Sequence, residues 1–261
     1  MLHSESTGSG LPVVLIHGYC EDLTLWLDLK KSLSQKYTVI ALDLPGFGKS
    51  KSIKAPFNLH DVAETVYEYL TKTLQIKKFV VFGHSLGGYI CLDLAANHPE
   101  SIVGFGLINS TSFADTIEKK TNRQKTANFI DQNGVEVFLQ SFVPSLFTAA
   151  NQQVLRPEIS RVLKMGINLP KSVLTSYMLA MANRPDLSYL LKERDHVLFI
   201  AGIEDSIIVT KDNELQISML KNQIHGQIYD QVAHMSMIES PKILAVALLK
   251  MLGDINFDRL S

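Results

Sequence analysis

The chain has 261 residues, of which 46% are hydrophobic, and its 25 basic and 26 acidic residues leave a formal net charge of −1. This size suits one large globular domain or a core with an insertion, and the balanced charge excludes a strongly basic surface for nucleic acid. The N-terminal segment MLHSESTGSG lacks the apolar stretch of a secretory signal, and the apolar run at residues 243–249 is too short to span a bilayer. We therefore expect a cytoplasmic protein with no membrane span, in which Cys20 and Cys91 are free thiols.

Short apolar runs alternate with helical patterns from the N-terminus onward. A weak strand is expected within residues 1–6, and stronger strands are expected at residues 11–17, 37–43, 77–83, 101–109, 196–202 and 226–232. Helical spacing of apolar side chains occurs at residues 23–36, 58–74, 85–98, 210–220 and 241–252. Because continuous apolar strands separated by helices are typical of sheets covered on both faces, these patterns predict an α/β fold with a mostly parallel, doubly wound sheet.

The interval between residues 109 and 196 breaks this alternation. It contains no convincing strand and is too long for a plain loop. Helical patterns fill it instead, around residues 115–131, 135–147, 151–167 and 171–183. We interpret residues 113–169 as a helical lid inserted into a core made of residues 1–112 and 170–261, with the last of these helices returning to the core layer.

A sharp junction between a predicted strand and a predicted helix lies in the sequence VVFGHSLGGYI, residues 80–90. Gly83, Ser85 and Gly87 form the pattern G-x-S-x-G, in which a tight turn presents the serine and requires small residues two positions away. The alternative is an ordinary turn in which Ser85 only caps the helix. A dinucleotide fingerprint would need glycine at position 85, and the segment PGFGKS lacks the first glycine of a phosphate-binding loop.

A serine nucleophile needs a base, and imidazole is the usual one. Of the eight histidines, His17, His84 and His234 follow predicted strands directly, at the sheet edge where catalytic groups gather. His84 adjoins Ser85 and is expected to point away from it, and His17 is expected to make a structural hydrogen bond. These considerations leave His234 as the expected base.

The acid that orients His234 is expected at the same edge of the sheet. Asp205 follows the strand at residues 196–202 by three positions, and Glu204 is a weaker rival. Asp43 also ends a strand, but its expected role is to hold the turn of the segment DLPGFGKS. Asp205 and His234 therefore complete the candidate triad with the serine of the turn.

These motifs together resemble those of α/β-hydrolase-fold enzymes. The resemblance rests on five segments in this order: HG (17–18), DLPGFGKS (43–50), GHSLGG (83–88), GIED (202–205) and AHMSMIESP (233–241). It implies a triad in the order Ser, acid, His, a lid where the long helical interval falls, and a sheet that lacks the first of the family's eight strands. Some relatives carry the acid where this chain has Asn109.

Two backbone N–H groups are expected to form an oxyanion hole. One belongs to Leu86, the residue after the nucleophile. The resemblance implies that the other belongs to Tyr19, although Cys20 is only one position away.

The lid offers candidates for an apolar substrate pocket. Phe113, Phe138 and Phe142, together with Met235 beside the expected base, are the candidate lining residues, although lid aromatics can instead pack the lid against the core. The charged segment EKKTNRQK, residues 118–125, is interpreted as a solvated face. Arg184 is the one cation considered for binding a charged substrate, with a salt bridge to Asp186 or surface exposure as the alternatives.

Three functions remain open on this sequence. The first is a serine carboxylesterase that cleaves a small to medium, largely apolar ester through an acyl-enzyme on Ser85. The second keeps the triad but acts as a carbon–carbon bond hydrolase, a thioesterase or a perhydrolase. The third is a ligand receptor of this fold with slow or single turnover. No cofactor or metal is expected, the only expected partner is a small-molecule substrate, and the oligomeric state is left open.

Overall fold

A computed structural model describes residues 1–256 of the chain, and a seven-stranded sheet forms its centre. The strands are β1 (Ser4–Thr7), β2 (Pro12–Ile16), β3 (Thr38–Leu42), β4 (Phe79–His84), β5 (Ile102–Ile108), β6 (Val197–Gly202) and β7 (Gly226–Tyr229). Their order across the sheet is β1-β3-β2-β4-β5-β6-β7. β1 pairs with β3 in antiparallel fashion, and all other pairs are parallel.

Helices cover both faces of this sheet. Those flanking the strands are α1 (Leu27–Leu33), α2 (Leu59–Glu68), α3 (Leu86–Asn97), α10 (Thr210–Met219), α11 (Ser236–Glu239) and α12 (Pro241–Gly253). Every residue of β4 and β6 is buried, as expected for parallel strands that are covered on two sides. The prediction of a mostly parallel, doubly wound α/β sheet is confirmed.

The interval between β5 and β6 contains six helices joined by loops, and no strand. It contains α4 (Ile117–Asn133), α5 (Val135–Ser145), α6 (Ala149–Val154), α7 (Arg156–Gly166), α8 (Lys171–Ala182) and α9 (Tyr189–Glu193). α8 packs along α4 and also contacts the core, where the hydroxyl of Tyr177 donates to the carbonyl of Pro45 at 2.9 Å. β5 and β6 remain direct neighbours despite the insertion, so the sheet is continuous below these helices.

The last strand is shorter than the sequence pattern predicts. β7 ends at Tyr229, where its pairing with Gly202 of β6 ends, and Gln231 takes a positive φ of 58°. The chain therefore turns before residue 232 and carries residues 233–235 across the carboxyl edge of the sheet. None of the helices formed by residues 1–256 has the length and hydropathy needed to cross a membrane.

Candidate active site

Ser85 occupies the sharp turn between β4 and α3. Its φ of 49° and ψ of −112° lie outside the regions that side-chain-bearing residues normally adopt, a kind of strain that concentrates at functional sites. A Cβ atom on Gly83 would lie 2.2 Å from the carbonyl carbon of Gly87, so the turn requires glycine there. The hydroxyl of Ser85 makes no capping hydrogen bond to α3, which contradicts the alternative of a simple helix cap.

Asp205 and His234 meet at the same edge of the sheet. Asp205 follows β6, His234 follows β7, and Oδ2 of Asp205 lies 2.7 Å from Nδ1 of His234. The other carboxylate oxygen, Oδ1, accepts from the N–H groups of Ile207 at 2.8 Å and Ile208 at 3.1 Å. The rival acid Glu204 is exposed. The structure therefore pairs Asp205, and not its neighbour, with the imidazole.

Asp205 and His234 shift each other's pKa in opposite directions. Burial raises the pKa of Asp205, but the charge of His234 and the hydrogen bonds to the carboxylate outweigh burial and lower that pKa below its ordinary value of 3.8. Burial lowers the pKa of His234, but the charge and hydrogen bond of Asp205, with smaller contributions from Glu21 and Glu239, raise it above 6.5. His234 is thus placed to hold a proton transiently next to a permanent carboxylate.

The other two histidines at this edge make structural contacts. Nδ1 of His17 lies 2.8 Å from the carbonyl of Gly18, and its Nε2 accepts from the N–H of Leu44 at 3.0 Å. His84 contacts the carboxylate of Glu21 at 2.9 Å and the carbonyl of His234 at 2.9 Å. The ring nitrogens of both histidines thus have structural partners, and no hydrogen bond among the described residues joins either ring to Ser85.

Asp43 and Asn109 also have structural partners. Asp43 accepts from the N–H groups of Leu23 at 2.8 Å and Lys49 at 2.9 Å, and it therefore holds the turn as expected. Asn109 donates through Nδ2 to the carbonyl of Ala233 at 2.9 Å and reaches Oδ2 of Asp205 at 3.4 Å. The residue that stands at the alternative acid position thus supports the acid–base pair from its side.

The predicted oxyanion donors are the backbone N–H groups of Tyr19 and Leu86. The N–H of Gly18 is committed to Oε2 of Glu21 at 2.6 Å, which leaves the N–H of Tyr19 as the next donor of this loop. Leu86 is the first residue of α3, where N–H groups have no acceptor within the helix. Across residues 1–256, neither Tyr19 nor Leu86 uses its N–H in a turn or loop hydrogen bond.

A cavity of about 430 Å³ joins these groups. Ser85 and His234 both line this cavity, but no hydrogen bond among the described residues joins their side chains. The full lining comprises Tyr19, Ser85, Tyr89, Lys119, Asn122, Arg123, Thr126, Phe138, Phe142, Met178, Met181, Ser206, Ile207 and His234. Helices α4 and α5 of the insertion supply six of these residues.

Two of the four residues expected in an apolar pocket are part of this lining. Phe138 and Phe142 stack with ring centroids 4.9 Å apart, and both rings meet the edge of Tyr19. Phe113 and Met235 were predicted wrongly. Phe113 lies in the loop before α4 and is outside the lining, while Met235 is fully buried because the turn after β7 directs its side chain into the core.

The charged residues also differ from expectation. Lys119 and Arg123 line the cavity, so the interpretation of residues 118–125 as a wholly solvated face is wrong. Arg184 is buried, outside this lining, and its Nη1 lies 2.8 Å from Oδ1 of Asp115 rather than pairing with Asp186. Glu21 is a buried residue of the site that sequence reasoning missed, although an acid three positions after the loop glycine was a visible signal.

No cluster of three or more His, Cys, Asp or Glu side chains suited to a metal ion occurs in the described part of the chain. The sulfur atoms of Cys20 and Cys91 are not joined in a disulfide, and both residues are buried. Burial raises the pKa of each thiol well above its ordinary value, so neither is placed as a competing nucleophile.

Comparison with known proteins gives matches along nearly the whole chain. A family model described as alpha/beta hydrolase fold matches residues 12–241. A thermophilic esterase from Thermogutta terrifontis, solved with malate bound, superposes with a TM-score of 0.88 and 26% identity, covering 97% of this chain and 93% of that one.

Curated relatives match over shorter stretches. The dihydrolipoyllysine-residue acetyltransferase component of the acetoin cleaving system of Pseudomonas putida is 35% identical over 150 residues, which are 58% of this chain and 35% of the relative. The pimeloyl-[acyl-carrier protein] methyl ester esterase of Nitrosomonas europaea is 33% identical over 110 residues, 42% of this chain and 41% of the relative. The matches thus span only about a third to two fifths of the length of these relatives.

Proposed function

The chain belongs to the α/β-hydrolase fold family, and from this premise we propose that it is a serine hydrolase that cleaves a small to medium ester through an acyl-enzyme on Ser85. The observation that supports this most directly is the 2.7 Å contact between Asp205 and His234 beside a cavity that Ser85 also lines. Esterases among the similar proteins favour an ester bond over a carbon–carbon bond or a thioester.

In the proposed reaction, Nε2 of His234 takes the proton of the Ser85 hydroxyl as its oxygen attacks the ester carbonyl. The N–H groups of Tyr19 and Leu86 would stabilise the resulting oxyanion. His234 then gives the proton to the departing alcohol, and the acyl group remains on Ser85. Water attacks this acyl-enzyme with His234 again as base, which releases the acid and restores the hydroxyl, so that ester and water become acid and alcohol.

We further propose that residues 113–169 form the lid of this site, over a core of residues 1–112 and 170–261. Six residues of α4 and α5 line the cavity, and the N–H of His234 donates to the carbonyl of Leu146 at 2.9 Å. The cavity volume of about 430 Å³ lies within the range typical of small-molecule sites. Because the lid supplies much of this lining, it would exclude water and limit substrate size.

The test is labelling by a fluorophosphonate followed by steady-state hydrolysis of short 4-nitrophenyl esters. Ser85→Ala should abolish both labelling and turnover with no loss of fold. Ser206→Ala is the matched control, because Ser206 lines the same cavity but lies outside the turn, and it should keep the labelling. Labelling that persists in Ser85→Ala contradicts the proposal. A single covalent event without further turnover would instead favour a receptor.

A further inference from the structure

One wall of the cavity carries positive charge. Lys119 and Arg123 are four residues apart on α4, so they share one face of the helix, and both line the cavity. No carboxylate belongs to the lining formed by the described residues. The side chain of Lys119 is 41% exposed and only 3.9 Å from the carboxylate of Asp212, a loose surface pair that leaves the lysine free to reorient.

Arg123 shares its carboxylate partner with a second arginine. Its Nε donates to Oδ2 of the buried Asp115 at 2.5 Å, while Nη1 of Arg184 lies 2.8 Å from the other carboxylate oxygen. Arg184 also donates to the carbonyls of Met181 and Phe113, both at 2.9 Å. Two guanidinium groups on one carboxylate leave a net charge of +1 at this wall.

The outer part of the Arg123 guanidinium faces uncharged side chains, among them Tyr89, with which it has a side-chain hydrogen bond. Nη1 lies 3.4 Å from the sulfur of Met181 and 3.7 Å from the sulfur of Met178, and both methionines line the cavity. A thioether is a poor acceptor for a charged N–H donor. An oxygen anion in the cavity would be a much stronger partner, because charge-assisted hydrogen bonds are about twice as strong as neutral ones.

Tyr89 connects this wall to the nucleophile. It lies four residues after Ser85 at the start of α3, and both side chains line the cavity. Cζ of Arg184 lies 4.0 Å from the centre of the Tyr89 ring, so the ring packs directly against the arginine cluster. The positive wall and the nucleophile therefore line the same cavity, with Tyr89 between the arginine cluster and the turn of Ser85.

We propose that the ester substrate carries a carboxylate a few bonds from the scissile carbonyl, and that Arg123 binds this carboxylate with Lys119 adding charge at the rim. This inference rests on the proposed serine-hydrolase function and specifies its substrate class. The planar guanidinium suits a carboxylate, and the phenylalanines on α5 cover the apolar remainder of the substrate. The carboxylate lies on either the acyl or the alcohol part, and the experiment separates the two.

The test compares matched charged and neutral esters. Mono-4-nitrophenyl glutarate is paired with 4-nitrophenyl pentanoate for an acyl-side carboxylate, and 4-acetoxybutanoate is paired with butyl acetate for an alcohol-side one. Arg123→Met should lower kcat/KM for the charged member of at least one pair by about 10- to 100-fold, because it removes a hydrogen bond to a charged group. The neutral member should change by less than about threefold. Arg123→Lys should restore part of the activity on the charged ester.

Arg123→Met is suited to this comparison because Arg184 keeps Asp115 paired when the Arg123 guanidinium is removed. Lys120→Met is the matched control, since Lys120 is an exposed cation on the same helix outside the lining, and it should leave both esters unchanged. If Arg123→Met is still labelled by the fluorophosphonate but loses kcat/KM equally on the charged and neutral members of both pairs, the proposed substrate class is wrong. The serine-hydrolase function would not be affected by that result. Absence of both labelling and hydrolysis in the parent protein overturns the proposed function itself.

Discussion

Glu21 and His84 form a buried pair that connects two loops of the candidate active site. Oε2 of Glu21 lies 2.9 Å from Nδ1 of His84, and both side chains are 1% exposed. The same oxygen accepts from Gly18 in the loop of Tyr19, while Nε2 of His84 contacts the carbonyl of His234. One imidazole thus joins the loop of Glu21 and Tyr19 to the loop of His234.

We predict that Glu21→Gln changes catalysis through His234. Burial raises the pKa of Glu21, but the neighbouring His84 and His17 and the Gly18 N–H outweigh it and keep the carboxylate charged, and that charge helps to raise the pKa of His234. Removing the charge should move the acid limb of the kcat/KM profile to lower pH. It should also reduce kcat about tenfold, because the loop of Gly18 and Tyr19 loses its bond to the carboxylate. Glu204→Gln, on an exposed acid, should leave the profile in place. An unchanged acid limb in Glu21→Gln would show that the pair has no influence on the base.

We predict a pH profile set by a raised histidine pKa. The base must be neutral to accept the serine proton, so activity is full above the pKa of His234 and falls as the pH drops through it. Because Asp205 holds that pKa above 6.5, the acid limb should lie above pH 6.5. Asp205→Asn should lower kcat by about 10³- to 10⁴-fold, as removal of the orienting carboxylate does in such triads. Activity that stays constant down to about pH 5 would contradict a histidine base.

We predict that Gly83 cannot be replaced even by alanine. The added Cβ would meet backbone atoms of Gly87 at 2.2 Å, and backbone cannot move aside as a flexible side chain can. Gly83→Ala should lower the free energy of unfolding by about 3 kcal/mol or more, measured by urea denaturation. Gly253→Ala is the control, because among residues 1–256 no atom beyond its chain neighbours and its own helix lies within 4 Å of the added Cβ, and it should be neutral or slightly stabilising. Equal stability of the two variants would contradict the close packing of the turn.

We predict that Glu239 couples the inserted helices to the loop of His234. Its Oε1 accepts from the N–H of Thr148 and from Nδ2 of Asn151, both at 2.9 Å, and its Oε2 accepts from the N–H of Ala233 at 2.8 Å. Glu239→Ala should cost about 1–3 kcal/mol of stability by leaving these donors without partners. Hydrogen exchange should then accelerate at residues 148 and 233 together, whereas Glu239→Gln keeps part of the protection. Acceleration at one of the two residues alone would mean that they are not coupled through this side chain.

The sheet, the position of Ser85 and His234 on one cavity, and the contact of Asp205 with His234 could be anticipated because they depend on local signals. Apolar runs mark the parallel strands, and polar residues that end such strands necessarily gather at one edge. The position of Arg123 in the cavity wall could not be anticipated, because it depends on how α4 packs along α8. A helix rich in charge looks solvated in sequence, and only tertiary contact turns two of its cations inward.

Met235 and Glu21 illustrate the same limit within loops. The direction of the Met235 side chain follows from the turn after β7. The sequence pattern predicted that this strand would continue to residue 232, but it ends at Tyr229. Glu21 folds back on Gly18 and at the same time meets His84, a residue 63 positions away in the chain. Such a contact arises from the assembled sheet rather than from any local preference.

The hydrogen bond from His234 N–H to the carbonyl of Leu146 limits which segments could replace the inserted helices of this protein. The acceptor is a backbone carbonyl at the end of α5, so its position depends on the path of the inserted chain rather than on the identity of one side chain. A chimera carrying the inserted helices of another family member would retain the loop of His234 only if that donor segment placed a carbonyl at the same point. Exchange of substrate preference by segment swapping is therefore restricted to donors whose backbone ends this helix in the same way.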